Sequence, residues 1–312
     1  MSTPDRPGRL LLLDSASLYF RAFFGVPQSL TAPDGTPVNA VRGFLDMVAT
    51  LLQRGRPAGV VACWDDDWRP QWRVDALPSY KAHRVAGDGA AGAEEVPPAL
   101  AAQVPVIAEA LAALGIARVG APGCEADDVI GTLVTRAVAA GRRVDVVTGD
   151  RDLFQLVDDA AGVRVLYTGR GVSNLEVVDQ ARLRERYGVP DGDRYADLAV
   201  LRGDPSDGLP GVAGIGEKTA AALLDRFGDL AGVLRAVETG DPALTRAQRT
   251  RLAAARDYLA AAPAVVRVLR DADLPDHDDR LPQRPADPDA LVRLAQRWGV
   301  GSSLARVVDA LS

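Results

Sequence analysis

The stretch Val144-Asp145-Val146-Val147-Thr148-Gly149-Asp150-Arg151-Asp152 decides the fold. A short β-branched run ends at a glycine, and two carboxylates follow at once. The same grammar recurs where Leu10–Leu13 runs into Asp14 and where Val60–Trp64 runs into Asp65. Apolar runs that alternate with helical patterns predict an α/β fold with a parallel sheet, and such sheets carry their sites at the carboxyl ends of the strands. The fold should therefore gather these acids. Glu125, Asp127 and Asp128, at the start of a helical pattern, and Asp204 and Asp207, in a Gly/Pro-rich turn, add to the set. So dense a group of anions calls for cations, and oxygen-only ligands select hard divalent ions such as Mg²⁺ or Mn²⁺. The pattern points to a metal site for phosphoryl chemistry.

Composition agrees with a soluble enzyme. A chain of 312 residues can bury one α/β core plus a smaller appendage. No apolar run approaches the roughly 20 residues of a membrane span. The polar start Met1–Arg9 leads straight into a strand, unlike a signal peptide. Cys63 and Cys124 are the only cysteines, which fits packing roles in a reducing, cytoplasmic setting. The net charge of −6 does not argue against nucleic acid, because the acid cluster supplies that excess and bound metal would offset it.

Along the chain, strands are expected at 9–14, 58–65, 116–120 and 143–148, with a short β region near 163–168. Helices are expected at 39–54, 97–114, 125–140, 152–157 and 179–187. Residues 66–96 show no clean period and hold Trp68 and Trp72, the basic run Tyr80-Lys81-Ala82-His83-Arg84 and the Gly-rich segment Gly87–Gly92. Irregular segments of that length are usually functional or disordered. From 195 onward the chain reads helical. A linker or exposed loop is expected at 271–289 and a final helix at 287–311.

Each motif has a bland rival. Glu125-x-Asp127-Asp128 could merely cap a helix, where the dipole favours acids, and Asp150-x-Asp152 could be a solvated turn. Their co-occurrence favours shared metal ligation. In the run Asp65–Asp67 only Asp65 sits at the strand end, so Asp66 and Asp67 read as a solvated turn. Asp14 would suit a haloacid-dehalogenase phosphatase, but that chemistry needs a second Asp where this chain has Ala16. Of 36 basic residues only Lys81 and Lys218 are lysines, and both fall in candidate nucleic-acid motifs. Lys81 and Arg84 would share a helix face and could hold a phosphate over the metals; the rival is an exposed basic face. Gly211–Ala222 reads as a helix–hairpin–helix: Gly211, Gly214 and Gly216 allow a tight turn, and N–H groups near Lys218 and Thr219 suit a DNA phosphate. The rival is a Gly-rich linker. Arg246, Arg249, Arg251 and Arg256 form a second backbone contact or a solvated face.

Together, Asp14, Asp65, Glu125-x-Asp127-Asp128, Asp150-x-Asp152, Gly203-Asp204-x-x-Asp207 and Gly211-x-x-Gly214-Ile215-Gly216-Glu217-Lys218-Thr219-Ala220 resemble the 5′-nuclease superfamily. That superfamily includes flap endonucleases and the 5′→3′ exonuclease domain of bacterial DNA polymerase I; with no polymerase domain following, the chain looks like a free-standing member. The resemblance covers roughly residues 9–270. It implies a Rossmann-like, mainly parallel, PIN-like sheet with a helical arch near 68–100, so that 1–190 would be the metal-dependent nuclease domain. Residues 191–312 would be a helical DNA-binding region with its hairpin near 203–225. It further implies two divalent metals. Asp14, Asp65, Glu125 and Asp127 would hold the first, and Asp127 or Asp128 with Asp150, Asp152, Asp204 and Asp207 the second. Lys81 and Arg84 would be catalytic, and Arg21, Arg73 and Tyr80 would join the hairpin in DNA binding. A K⁺ ion on the carbonyls of 211–216 is suggested. The expected partner is branched, flapped or nicked duplex DNA, RNA-primed ends included, acted on by a monomer. Departures are Ser15 for Gly, Phe20 for Tyr, Gly208 for Asn, and a Gly/Ala-rich stretch at 85–95. Two other readings are a branched-DNA-binding protein with a silent metal site and a PIN-domain ribonuclease; the second lacks a counterpart of residues 203–222.

Overall fold

The computed structural model describes residues 8–85 and 94–311. Six strands form one sheet in the order β3-β2-β1-β4-β5-β6, with β1 Leu10–Asp14, β2 Gly59–Cys63, β3 Ala117–Val119, β4 Val144–Thr148, β5 Val163–Tyr167 and β6 Glu176–Val178. The first five are parallel and β6 is antiparallel at the edge. The apolar runs are continuous because both faces are covered. Leu10 and Leu12 face one core and Leu11 and Leu13 the other. The chain steps outward from β1 to β3 and returns to β4 on the other side of β1. This reversal leaves a crevice between the ends of β1 and β4, where open α/β sheets bind ligands.

Several expected elements are refined. The single helix at 97–114 is two helices, Pro98–Ala101 and Val104–Leu114, parted where Pro105 withholds an N–H. Gln103 at the break is buried and donates to Ala99, while its oxygen accepts from Ala40 N and Val41 N. Residues 152–156 form a 3₁₀ turn rather than an α-helix. The expected final helix is divided into Pro288–Trp298 and Gly301–Leu311 by Gly299, whose φ is 65°. The strand β6 escaped the sequence reading because three residues carry no alternation worth reading.

The C-terminal region is organised differently from the expectation of one helical unit over 191–312. Residues 279–281 cross the amino ends of the strands, where Val60 N donates to Asp279 O (2.9 Å) and Leu281 N to Ala58 O (3.2 Å). The last two helices then pack on the sheet through Leu291, Leu294, Leu304 and Val307, beside helix Asn39–Gly55. They belong to the α/β core because their apolar stripes are buried there. The helices between 192 and 266 pack on the opposite sheet face, with Phe154, Tyr187 and Tyr195 in one continuous core. Of the expected arch, the described residues show helix Gln71–Ala76, a 3₁₀ turn Ala82–Arg84 and a bridge from Val85 to Glu94. Gly87–Gly92 lies outside the described residues.

Candidate active site

Asp14 closes β1 and caps the following helix Ser15–Gly25, its carboxylate accepting from Ser17 N (3.1 Å) and from Thr148 Oγ1 (2.6 Å) at the end of β4. Across the crevice, Asp150 N donates to the same Thr148 hydroxyl (2.8 Å), and Asp152 N donates to Asp150 (2.9 Å). Asp65, two residues past β2, accepts from Ala126 N (2.7 Å) and is thereby fixed to the start of helix Ala126–Ala139, which carries Asp127 in its first turn. One cleft of about 740 Å³ is lined by Asp14, Asp65, Glu125, Asp127, Asp150 and Asp204 together with Lys81, Arg84 and Arg21. Three strand ends, one helix start and one turn thus deliver six of the acids that the sequence singled out, whereas Asp152 and Asp207 are not among the lining residues.

The electrostatics are those of an anion cluster short of cations. Burial pushes Asp14 up to about 7, with the Asp65 and Asp150 charges adding to it and the Thr148 hydrogen bond opposing it. Burial likewise pushes Asp65 up to about 6. Asp127 is raised by burial and by Asp14 and Asp150; Asp152 is raised by burial and by Asp150, Asp207 and Asp204. Among the described residues no three acidic, histidine or cysteine side chains already converge on a point where a metal ion would sit. Part of the reason is that basic groups of the chain hold two of the acids. Lys81 Nζ pairs with Glu125, and Arg84 Nη2 with Asp207 (2.6 Å). The donor set, all carboxylate and short of compensating charge, is what a hard divalent ion fits.

Three of the expected site residues have other roles. Asp128 is fully buried, and both its oxygens are used: by the Arg73 guanidinium (2.6 Å to each), by Leu269 N (2.9 Å) and by Glu125 N (3.1 Å). It has no lone pair directed at a metal, so it leaves the ligand set. Arg73 is 2% exposed, and besides Asp128 it donates to Glu125 (3.2 Å) and to Val265 O (3.1 Å). Tyr80 is 4% exposed and donates its hydroxyl to Glu125 (2.7 Å). Neither can touch DNA; they brace Glu125 from behind. The basic pair is also arranged differently from a shared helix face. Lys81 takes a left-handed conformation (φ 47°) ahead of the 3₁₀ turn, so the two side chains reach different acids. Gly208 answers to the same geometry. Its φ is 72°, and a Cβ there would overlap the carbonyl of Ser79, which excludes any side chain at this position.

Sequence reading missed Phe24, Glu94 and Arg151 in the cleft wall. Arg151 was legible between its two acids, whereas Phe24, 72% exposed, carried no pattern.

The hairpin follows the expectation in backbone. Helices Gly192–Arg202 and Glu217–Phe227 flank it, Gly211 and Gly214 have φ of 65° and 72°, and Val212 and Ile215 are buried. Gly216 caps the second helix, Lys218 is exposed and Thr219 half-buried. Arg251 Nη1 donates to Gly214 O (3.2 Å), so one carbonyl proposed for K⁺ already has a cationic partner.

Comparison with known proteins identifies the family and the fold. Residues 9–188 match the model of the 5′-3′ exonuclease N-terminal resolvase-like domain and residues 191–289 that of the 5′-3′ exonuclease C-terminal SAM fold. The chain belongs to the 5′-3′ exonuclease family. It is 63% identical to a 5′-3′ exonuclease of Streptomyces coelicolor over 97% of this chain and all of that protein. A 5′-3′ exonuclease of Mycobacterium tuberculosis is 54% identical over 97% of each. The DNA polymerase I of the same organism is 39% identical over 91% of this chain, a match that spans 30% of the polymerase. In fold, the chain is similar to the T5 5′-exonuclease with bound divalent zinc ions (TM-score 0.64, 16% identity, covering 97% of this chain and 100% of that one). It is also similar to the catalytic core of Rad2 with DNA substrate (TM-score 0.60, 19% identity, covering 97% and 94%).

Proposed function

We propose that this family member is a structure-specific nuclease that removes 5′ flaps and 5′-terminal nucleotides from branched or nicked DNA. The role fits Okazaki-fragment maturation or repair, with RNA-primed ends among its substrates. One observation carries the reading: Asp14, Asp65, Asp127, Asp150 and Asp204 line one cleft together with Lys81, Arg84 and Arg21. Asp14, Asp65, Glu125 and Asp127 would hold one divalent ion, and Asp150, Asp152, Asp204 and Asp207 would hold or orient a second. Such a pair supplies a metal-activated water and a clamp on the leaving oxygen. The chain's own part is positional. Thr148 and Ser17 fix Asp14, Ala126 N fixes Asp65, and the Arg73–Tyr80 pair fixes Glu125. Lys81 and Arg84 would stabilise charge developing on the phosphate. The exposed Lys218 and the hairpin N–H groups would hold the duplex by its backbone, independent of sequence.

The test compares products from a 5′-end-labelled flap with those from a nicked duplex, in Mg²⁺ and in Mn²⁺, for wild type and Asp150→Asn. The wild type should release 5′-phosphorylated fragments. The variant should bind the flap in Ca²⁺ and cleave nothing. Near-normal turnover by the variant in saturating Mg²⁺ would leave a two-metal centre without support, and a wild type that binds but never cleaves would establish the silent scaffold.

A further inference from the structure

Glu125 is the candidate ligand whose surroundings least resemble a vacant metal position. Oε1 accepts from Tyr80 and from Arg73, both buried and both part of the framework. Oε2 is paired with Lys81. That pairing has another character. The ammonium lies in the cleft wall and donates also to Trp68 O (3.3 Å). Its residue keeps a left-handed backbone, which a side chain with a Cβ adopts only where the surroundings enforce it. Two contacts enforce it here. Lys81 N donates to Asp207 O (3.0 Å), and the bare Cα of Gly208 lies against Ser79. The chain thus accepts backbone strain at a lysine and lays its charge on a carboxylate that the metal reading needs.

We propose that Lys81 occupies at Glu125 the place of the first divalent cation, so that cation entry there and release of Lys81 toward the substrate phosphate are one exchange. The proposal rests on the nuclease reading above. A divalent ion on Oε2 and an ammonium paired to the same oxygen repel each other, so each weakens the hold of the other. Without the ion, Lys81 neutralises Glu125 and is withheld from any phosphate. With ions on the carboxylates, the incoming phosphate is the anion left for it. Arg84 is not part of this exchange, since its partner is Asp207 and it donates also to Ser206 O (2.7 Å). Cation and DNA should then bind cooperatively, with Lys81 as the link.

The experiment is calorimetric titration of the metal-free protein with Mn²⁺, without DNA, for wild type, Lys81→Met and Arg21→Met. Arg21 lines the same cleft, and its buried Nε has no hydrogen-bond partner among the described residues, so its loss removes a unit charge without freeing a carboxylate. Lys81→Met should tighten the first Mn²⁺ by roughly tenfold, and Arg21→Met by no more than about two- to threefold. Equal tightening in both variants, or none in Lys81→Met, overturns the exchange. A second measurement compares affinity for a 5′-phosphorylated nicked duplex in Ca²⁺ and in EDTA. The Ca²⁺ enhancement should shrink in Lys81→Met, and an unchanged enhancement overturns the link. Melting curves in EDTA confirm that each variant is folded. Because the Mn²⁺ titrations contain no DNA, a failed flap assay and a failed exchange are distinguishable.

Discussion

Arg73 shows how far a residue's type can mislead about its role. An arginine near a phosphate site invites assignment to DNA, yet this one is sealed between helix Gln71–Ala76 and the acids Glu125 and Asp128, with its guanidinium 4.3 Å from the Trp72 ring centre. Breaking a buried pair from one side leaves an uncompensated charge, at about 3–5 kcal/mol. Arg73→Met should therefore lower the urea midpoint substantially with an unchanged slope, while duplex affinity at fixed salt stays near wild type among the folded molecules. A variant of normal stability that binds DNA poorly would return Arg73 to the interface. The sequence could not separate these roles, because burial at Arg73 is set by Val265 and Leu269, nearly 200 residues away in the chain. Asp128 was ambiguous for the same reason. Its neighbour Asp127 points into the cleft and Asp128 away from it, and only the packing of the helical region decides which is which. By contrast, Asp14, Asp65 and Asp150 were legible, since a carboxylate at or just past the end of a parallel strand has one place to go.

At the level of elements, strands and capped helices declared themselves and the irregular pieces did not. β1, β2 and β4 were read from apolar runs, and the hairpin from glycines that need positive φ. The segment 66–100 carries no period, so its 3₁₀ turn and its left-handed lysine were invisible. The hairpin supports a prediction of its own. Gly214 has φ of 72°, and a Cβ there would lie 2.6 Å from Arg251 Nη1. A β-branched residue in that conformation costs about 1–2 kcal/mol or more and would displace the arginine. Gly214→Val should lower affinity for nicked duplex by roughly tenfold at fixed salt while leaving Mn²⁺ binding at the cleft unchanged. Unchanged affinity would make the loop a linker between two helices; weaker Mn²⁺ binding would show the damage reaching the core.

For the molecule as a whole, the cleft links stability to both protons and metal, with a definite sign. The sheet positions its acids so deeply that burial lifts Asp14 to about 7 and Asp65 to about 6, from 3.8 in the unfolded chain. A carboxyl whose folded value is raised binds its proton more tightly when folded, so its contribution is fully present below the unfolded value and is lost as pH rises through the folded one. Between pH 4 and 7 the native state holds more protons than the unfolded state, and stability falls with rising pH. In EDTA the protein should therefore melt at a lower temperature at pH 8 than at pH 6. Saturating Mg²⁺ should raise the melting temperature more at pH 8, where the acids are ionised, than at pH 6, where protons compete for the same oxygens. The last two helices supply the internal control. They pack on the face of the sheet opposite the helical region, so a change such as Leu304→Ala should lower both melting curves by a similar amount and leave their pH dependence intact. If the metal-free protein were instead more stable at pH 8 than at pH 6, these carboxyls would not be protonated in the folded state. Their charges would then be compensated within the chain, and the shortage of cations that makes the cleft a place for divalent ions would be absent.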